Sequence, residues 1–173
     1  PFHESGRRLM SANAIHSAQD ARRIAKRQLP WMVFDYIDGA AGAETGAVRT
    51  RAALDALTLR PRILKDVHQR SLAVDIFGAK AERPFGIAPM GMCNLSAPGA
   101  DLMLARLAAQ YKVPHGVSTV ASTPLEKIIE VAQGHAWFQI YFSGDGSGTF
   151  KLIDRARAAG YETLVLTADV PEV

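Results

Sequence analysis

Cysteine is nearly absent from the chain. Cys93 stands alone among 173 residues, which excludes an internal disulfide framework and a CxxC metal site. Long apolar runs are missing as well: none approaches the roughly 20 residues that a membrane-spanning helix needs. Neither sign of charge dominates. Twenty Lys and Arg against seventeen Asp and Glu leave +3, and no basic stripe carries interleaved aromatics, so a nucleic-acid partner is not expected. The histidines, His3, His16, His68, His115 and His135, have no acidic neighbours at metal-ligand spacing. They give no expected metal site and no expected catalytic residue. No signal peptide is visible, and a start at Pro1 without Met reads as a trimmed chain. An apolar fraction of 48% and a charged fraction of 21% are globular values. The expectation is one soluble domain in the cytoplasm, at most peripheral to the inner membrane.

What is present begins with helices. Ser17 followed by Asp20 has the spacing of a capping box. From Ala18 to Leu29, Ala21, Ile24, Ala25 and Leu29 share one face, and Arg22, Arg23, Lys26 and Arg27 form a solvated opposite face. Pro30 stops this helix or opens the next, a short apolar helix running to Ile37 and ended by Gly39 and Gly42. Glu44 to Leu57 places Val48, Ala52 and Leu57 at helical spacing. This helical lead-in, residues 1–60, runs on without an evident linker.

Strand and helix then alternate over residues 84–173. Four apolar runs read as strands: Phe85 to Ala88, Gly116 to Thr119, Trp137 to Phe142 and Thr163 to Thr167. Helices are expected at Ala100 to Tyr111, Pro124 to Ala132 and Phe150 to Ala159. Thr123 is the expected cap and Pro124 the first residue of the middle helix. Leu104, Leu107 and Ala108 form the buried stripe of the first, and Leu152, Ile153 and Ala156 that of the last. Gly160 suits a helix end. Such alternation implies βαβ units and a parallel sheet. An open dinucleotide-binding sheet should show GxGxxG after its first strand, and Pro89-Met90-Gly91-Met92 does not. The other architecture is a (β/α)8 TIM barrel, which takes about 250 residues. On that reading this α/β chain supplies the lead-in helices and about the first four strands. The C-terminal half is then expected in a second chain.

In parallel α/β proteins, ligands gather at the C-terminal ends of strands. Pro89, Met90 and Gly91, then Ser118 and Thr119, then Gln139 and Tyr141, then Thr167 and Asp169 occupy those ends. A buried Gln inside Trp-Phe-Gln-Ile-Tyr must find hydrogen-bond partners. A planar heterocycle rich in donors and acceptors supplies them, and Gly91 without a Cβ would let backbone approach such a ring. Cys93 lies near the first strand end with nothing around it to favour the thiolate. Gly144 to Gly148 lacks the Lys and spacing of a phosphate loop and reads as the loop before a helix.

Ordered motifs over almost the whole chain then carry a resemblance. They are QLPWMVFDY at 28–36, LRPRILKDV at 59–67, PFGIAPMG at 84–91, VSTVAST at 117–123, WFQIY at 137–141 and GYETLVLTADVP at 160–171. Together these resemble the FMN-dependent 2-hydroxy acid oxidases and dehydrogenases, such as glycolate oxidase, lactate oxidase, L-lactate dehydrogenase and mandelate dehydrogenase. The resemblance implies a (β/α)8 barrel with FMN across its C-terminal strand ends. It implies that Pro89, Met90 and Gly91 present backbone to the flavin, and that Ser118, Gln139 and Thr167 hydrogen-bond the isoalloxazine ring. Tyr36 and Tyr141 would contact the substrate, with the Tyr36 hydroxyl toward its carboxylate.

Where the family often has Thr-Ala, this chain has Met90-Gly91, a pattern more like the mandelate and lactate dehydrogenases than the oxidases. The implied reaction is oxidation of an L-2-hydroxy acid to the 2-oxo acid, with electrons passed to a quinone or another acceptor. The alternatives are an oxidase using oxygen and a non-catalytic flavin-binding half-barrel. The family's catalytic His, clamping Arg and flavin-side Lys lie in its second half, so no catalytic residue is expected within this chain. A homo-oligomer is the expected assembly.

Overall fold

The computed structural model describes residues 15–169. His3 and the last two residues of the final motif, 170–171, lie outside that range. Contacts group the chain into two compact units that divide between Ile63 and Leu64.

The first unit holds α1 (Ala18–Gln28), α2 (Trp31–Asp38) and α3 (Thr45–Asp55). The capping box forms. The Asp20 amide donates to Ser17 Oγ at 3.1 Å, and the Ser17 hydroxyl donates back to the Asp20 carboxylate at 2.9 Å. That carboxylate also accepts from the His16 amide, and these bonds hold it below the usual carboxylate range. Pro30 opens α2 as its cap, with extended backbone and its carbonyl accepting from the Phe34 amide. Gly39 closes α2 without a left-handed turn; its φ is −73°. A Cβ there would lie 2.8 Å from the Asp35 carbonyl oxygen, so close approach is what demands glycine. The charged face of α1 is exposed, as expected. The Arg22 guanidinium bonds Asp38, and Arg22 and Lys26 lie 5.9 and 5.8 Å from the ring centre of Phe34. Phe34 is the buried residue of this unit among those described. The expected stripe on α3 is not buried: Val48 and Leu57 stay exposed.

The second unit opens with an unexpected hairpin, β1 (Val74–Ile76) against β2 (Ala79–Ala81). Its two turn residues, Phe77 and Gly78, both have positive φ, 54° and 78°. This is the turn whose twist matches paired antiparallel strands. The Asp75 carboxylate accepts from the Gly78 amide across it. A four-stranded parallel sheet follows in the order β3 (Ile87–Met90), β4 (His115–Val117), β5 (Ala136–Tyr141) and β6 (Leu164–Thr167). The connections carry α4 (Ala100–Tyr111), α5 (Leu125–Val131) and α6 (Ser147–Ala158).

Boundaries differ from expectation for identifiable reasons. β4 ends at Val117, because the Thr119 amide and hydroxyl bond Gln139 instead of extending the ladder. Pro124 caps α5 from extended backbone, and its carbonyl accepts from the Lys127 and Ile128 amides; Thr123 is not the cap. α6 starts at Ser147, so Gly148 is helical and not loop, and Gly146 with φ 82° turns the chain into the helix. Gly160, with φ 99°, ends that segment as expected.

Strand alternation divides the second unit into two faces. Val117, Phe138 and Ile140 join Ala105, Leu125, Ile128, Ile129, Ala156 and Tyr161 in one buried cluster between sheet and helices. The rings of Phe138 and Tyr161 lie 5.6 Å apart, and the Tyr161 hydroxyl donates to the Leu125 carbonyl at 2.8 Å. The buried stripe of α4 is Asp101, Ala105 and Ala108. Leu107, expected in it, is 43% exposed and lines an apolar groove with Phe85, Ile87, Tyr111 and Val113.

Candidate functional site

The other sheet face carries Gln139 and Tyr141, two residues apart on β5. Gln139 is only 2% exposed and therefore needs partners. They come from the ends of both neighbouring strands. On the β4 side, the Thr119 amide donates to Gln139 Oε1 at 3.1 Å and the Ser118 hydroxyl donates to the same oxygen at 3.3 Å. On the β6 side, Gln139 Nε2 donates to Thr167 Oγ1 at 2.8 Å. Ser118 Oγ also accepts from the Val120 amide. Ser118, Gln139 and Thr167 thus form one hydrogen-bonded row across the C-terminal ends of three adjacent parallel strands.

The row is uncharged. Its side chains offer neutral donors and acceptors, suited to the edge of a heterocycle rather than to a bare ion. An amide carries two N–H donors, and among the described residues one of those of Gln139 is taken, by Thr167. This donor set fits the polar edge of a flavin ring.

β3 approaches the row from the other side. Met90 pairs in register with Val117, and Gly116 packs so closely on Pro89 that a Cβ would sit 2.7 Å from the proline Cδ. Gly91 lies beside Ser118, where a Cβ would meet Ser118 Oγ at 3.7 Å. A Cβ at Gly91 would also lie 2.6 Å from Val120 Cγ2, so the chain's own packing demands glycine there whatever the backbone of Gly91 faces. Met90 is exposed, and Tyr141 is half-buried. Tyr36 lies exposed on α2 in the first unit.

One participant was read only as a strand-end residue, and another was not anticipated. Thr119 was visible only as the second hydroxyl of Ser-Thr. The buried Thr149 hydroxyl donates to the Tyr141 carbonyl and accepts from the Ser143 amide, so it holds the loop that leaves β5. Its signal, a Thr one turn into a helix, is too common to stand out.

The remaining reactive groups lie apart from the row. The Cys93 thiol reaches the Met90 carbonyl at 3.4 Å, and burial, aided by the Asp101 charge, pushes its pKa up and away from thiolate chemistry. His115 begins β4 at its N-terminal end, where burial lowers its pKa against the opposing pull of Asp101. Among the described residues no helix is long and apolar enough to cross a membrane.

Comparison with known proteins gives the site its context. The family model described as FMN-dependent dehydrogenase matches residues 25–173. The 4-hydroxymandelate oxidase of Amycolatopsis orientalis is 37% identical over 90% of this chain and 43% of its own length. The L-lactate dehydrogenase of Haemophilus influenzae strain PittEE is 36% identical over 91% of this chain and 41% of its own. A crystal structure of mandelate oxidase superposes with a TM-score of 0.83 at 37% identity, over 88% of this chain and 44% of that one. The chain therefore spans less than half the length of these relatives. Its parallel sheet and helices match part of their (β/α)8 barrel. With a family model matched over most of its residues, the chain belongs to the FMN-dependent dehydrogenase family of 2-hydroxy acid oxidoreductases.

Proposed function

We propose that this chain contributes the first strands of an FMN site that oxidises an L-2-hydroxy acid, lactate-like or mandelate-like, to the 2-oxo acid. The observation that carries the reading is the row Ser118–Gln139–Thr167 at the ends of β4, β5 and β6. Those three side chains would bind the polar edge of the isoalloxazine ring, and the backbone of Pro89, Met90 and Gly91 would lie along it. Bound FMN supplies the two-electron acceptor. Tyr141, on the same strand face as Gln139, and Tyr36 would orient the substrate. A phenol donates to a carboxylate without adding charge. No residue of this chain is assigned as the base that takes the substrate proton. That group, the carboxylate clamp and the remaining strands would come from outside these 173 residues.

The electrons would pass to a quinone or another acceptor, with a cytoplasmic enzyme assembled as a homo-oligomer. Similarity to 4-hydroxymandelate oxidase and to mandelate oxidase supports a second reading, transfer to oxygen. The distinction is made by aerated against anaerobic turnover with a quinone analogue. The flavin reading is tested by titrating FMN and following its fluorescence. The wild-type chain is expected to quench it saturably, and Gln139→Leu to weaken binding at least about fivefold, because each lost polar partner of a buried edge costs about 1–3 kcal/mol. Equal binding by both would remove Gln139 from the flavin site.

A further inference from the structure

The parallel ladder between β4 and β5 stops where Val117 pairs with Phe138, one residue short of Gln139. Thr119 carries the pairing on by other means. Its hydroxyl donates to the Gln139 backbone carbonyl at 2.6 Å, and its backbone N–H donates to Gln139 Oε1 at 3.1 Å. One residue therefore grips Gln139 by main chain and side chain together.

The second bond decides polarity. The oxygen and nitrogen of an amide are told apart by their partners, and a backbone N–H only donates. The atom facing Thr119 is therefore the oxygen, and the NH2 group is turned toward β6, where it donates to Thr167 Oγ1 at 2.8 Å. With that lone pair occupied, the Thr167 hydroxyl proton points to another acceptor. A flipped Gln139 would set two donors against each other at a site only 2% exposed, a poor arrangement for buried polar groups.

We propose that Thr119 is a positioning residue that fixes the orientation of the Gln139 amide. The edge which Gln139 and Thr167 offer to a bound heterocycle is then made of hydrogen-bond donors. This rests on the flavin reading above and deepens it. The facing ring atoms are acceptors, carbonyl oxygens or unprotonated nitrogens, and they are held more firmly as negative charge builds on the ring.

The test uses the 173-residue chain and two variants, Thr119→Ser, which keeps the hydroxyl, and Thr119→Val, which keeps the shape and the backbone N–H but loses the hydroxyl that anchors that N–H against Gln139. Without flavin, hydrogen exchange of the Thr119 amide and of the Gln139 side-chain NH2 is followed by nitrogen-edited NMR. With FMN, affinity is measured for each chain. In the wild type, the Thr119 amide is expected to exchange at least a hundredfold slower than a free amide. Thr119→Val should speed Gln139 NH2 exchange and weaken FMN binding at least tenfold each, and Thr119→Ser should bring both within about threefold of the wild type. A wild-type Thr119 amide exchanging as a free one overturns the proposal, whether or not the valine variant folds. So does an unchanged FMN affinity in Thr119→Val. Intact exchange behaviour in a wild-type chain that binds no FMN supports the clamp and overturns the flavin reading.

Discussion

Gly116→Ala is the substitution on which the packing of the site presses hardest. The added methyl would lie 2.7 Å from Pro89 Cδ, 2.8 Å from Pro89 N and 3.2 Å from Pro89 Cβ. Relaxed carbon contacts are about 3.5–4.0 Å, so something must move by roughly 0.8 Å. Pro89 has no rotamer by which to withdraw, since its ring locks φ near about −65°. Relief comes from prising β4 away from β3, and overpacking of this kind costs about 1–3 kcal/mol. Alanine returns about 0.4–1 kcal/mol by restricting the unfolded chain, which leaves a net loss of about 1.3 kcal/mol at the middle of both ranges. For a unit of this size each kcal/mol is worth about 4 °C, so the melting midpoint should fall by roughly 5 °C.

The control is Gly148→Ala on α6, where a Cβ meets nothing within 4 Å and φ is not positive. That change removes a helix penalty of about 0.5–1 kcal/mol, and it should raise the midpoint by roughly 2–4 °C. Thermal melts followed by circular dichroism read both. A Gly116→Ala chain melting at or above the wild type would refute the close packing of β3 on β4.

Other consequences follow from buried polar groups. Tyr161→Phe removes the hydroxyl that donates to the Leu125 carbonyl and should cost about 0.5–1.5 kcal/mol in urea unfolding, the net worth of one hydrogen bond. Burial holds the folded His115 below its ordinary pKa, with Asp101 opposing, while the unfolded chain takes up its proton near about 6.5. Stability from this group is therefore full above that pH and is lost as pH falls through and below it. Urea midpoints between pH 7.5 and 5 should decline, with a shallower slope in His115→Gln; equal slopes would remove His115 as the cause. The Cys93 thiol, raised by burial, should react with a disulfide reagent at least tenfold more slowly in the folded chain than in urea.

The parts of the fold visible in sequence were those governed by local periodicity. The span of α4, Ala100–Tyr111, follows from its apolar spacing and the Tyr-Lys-Val-Pro that ends it. The parallel order of β3 to β6 follows from strand-helix alternation. What was hidden depends on partners distant in sequence. The β1–β2 hairpin has two three-residue strands and an apolar Phe77 at its turn, so its pattern resembles an ordinary loop. β4 ends early because hydroxyl and amide groups of Thr119 find Gln139, 20 residues away. Leu107 has the right spacing for a core position, yet the residues beside it leave that face as an open groove. At the site, a buried Gln139 was readable because an amide inside an apolar strand demands partners. That Val120 occupies the space beside Gly91 was not readable from either residue alone.

The most direct test of the central claim is the visible absorption of the chain with equimolar FMN, recorded anaerobically before and after adding lactate or mandelate. If the row Ser118–Gln139–Thr167 holds the polar edge of a flavin, the bands of bound FMN will shift and sharpen relative to free FMN. Once the remainder of the barrel is supplied, they will bleach on addition of the hydroxy acid. A spectrum identical to that of free FMN at every chain concentration would contradict the account.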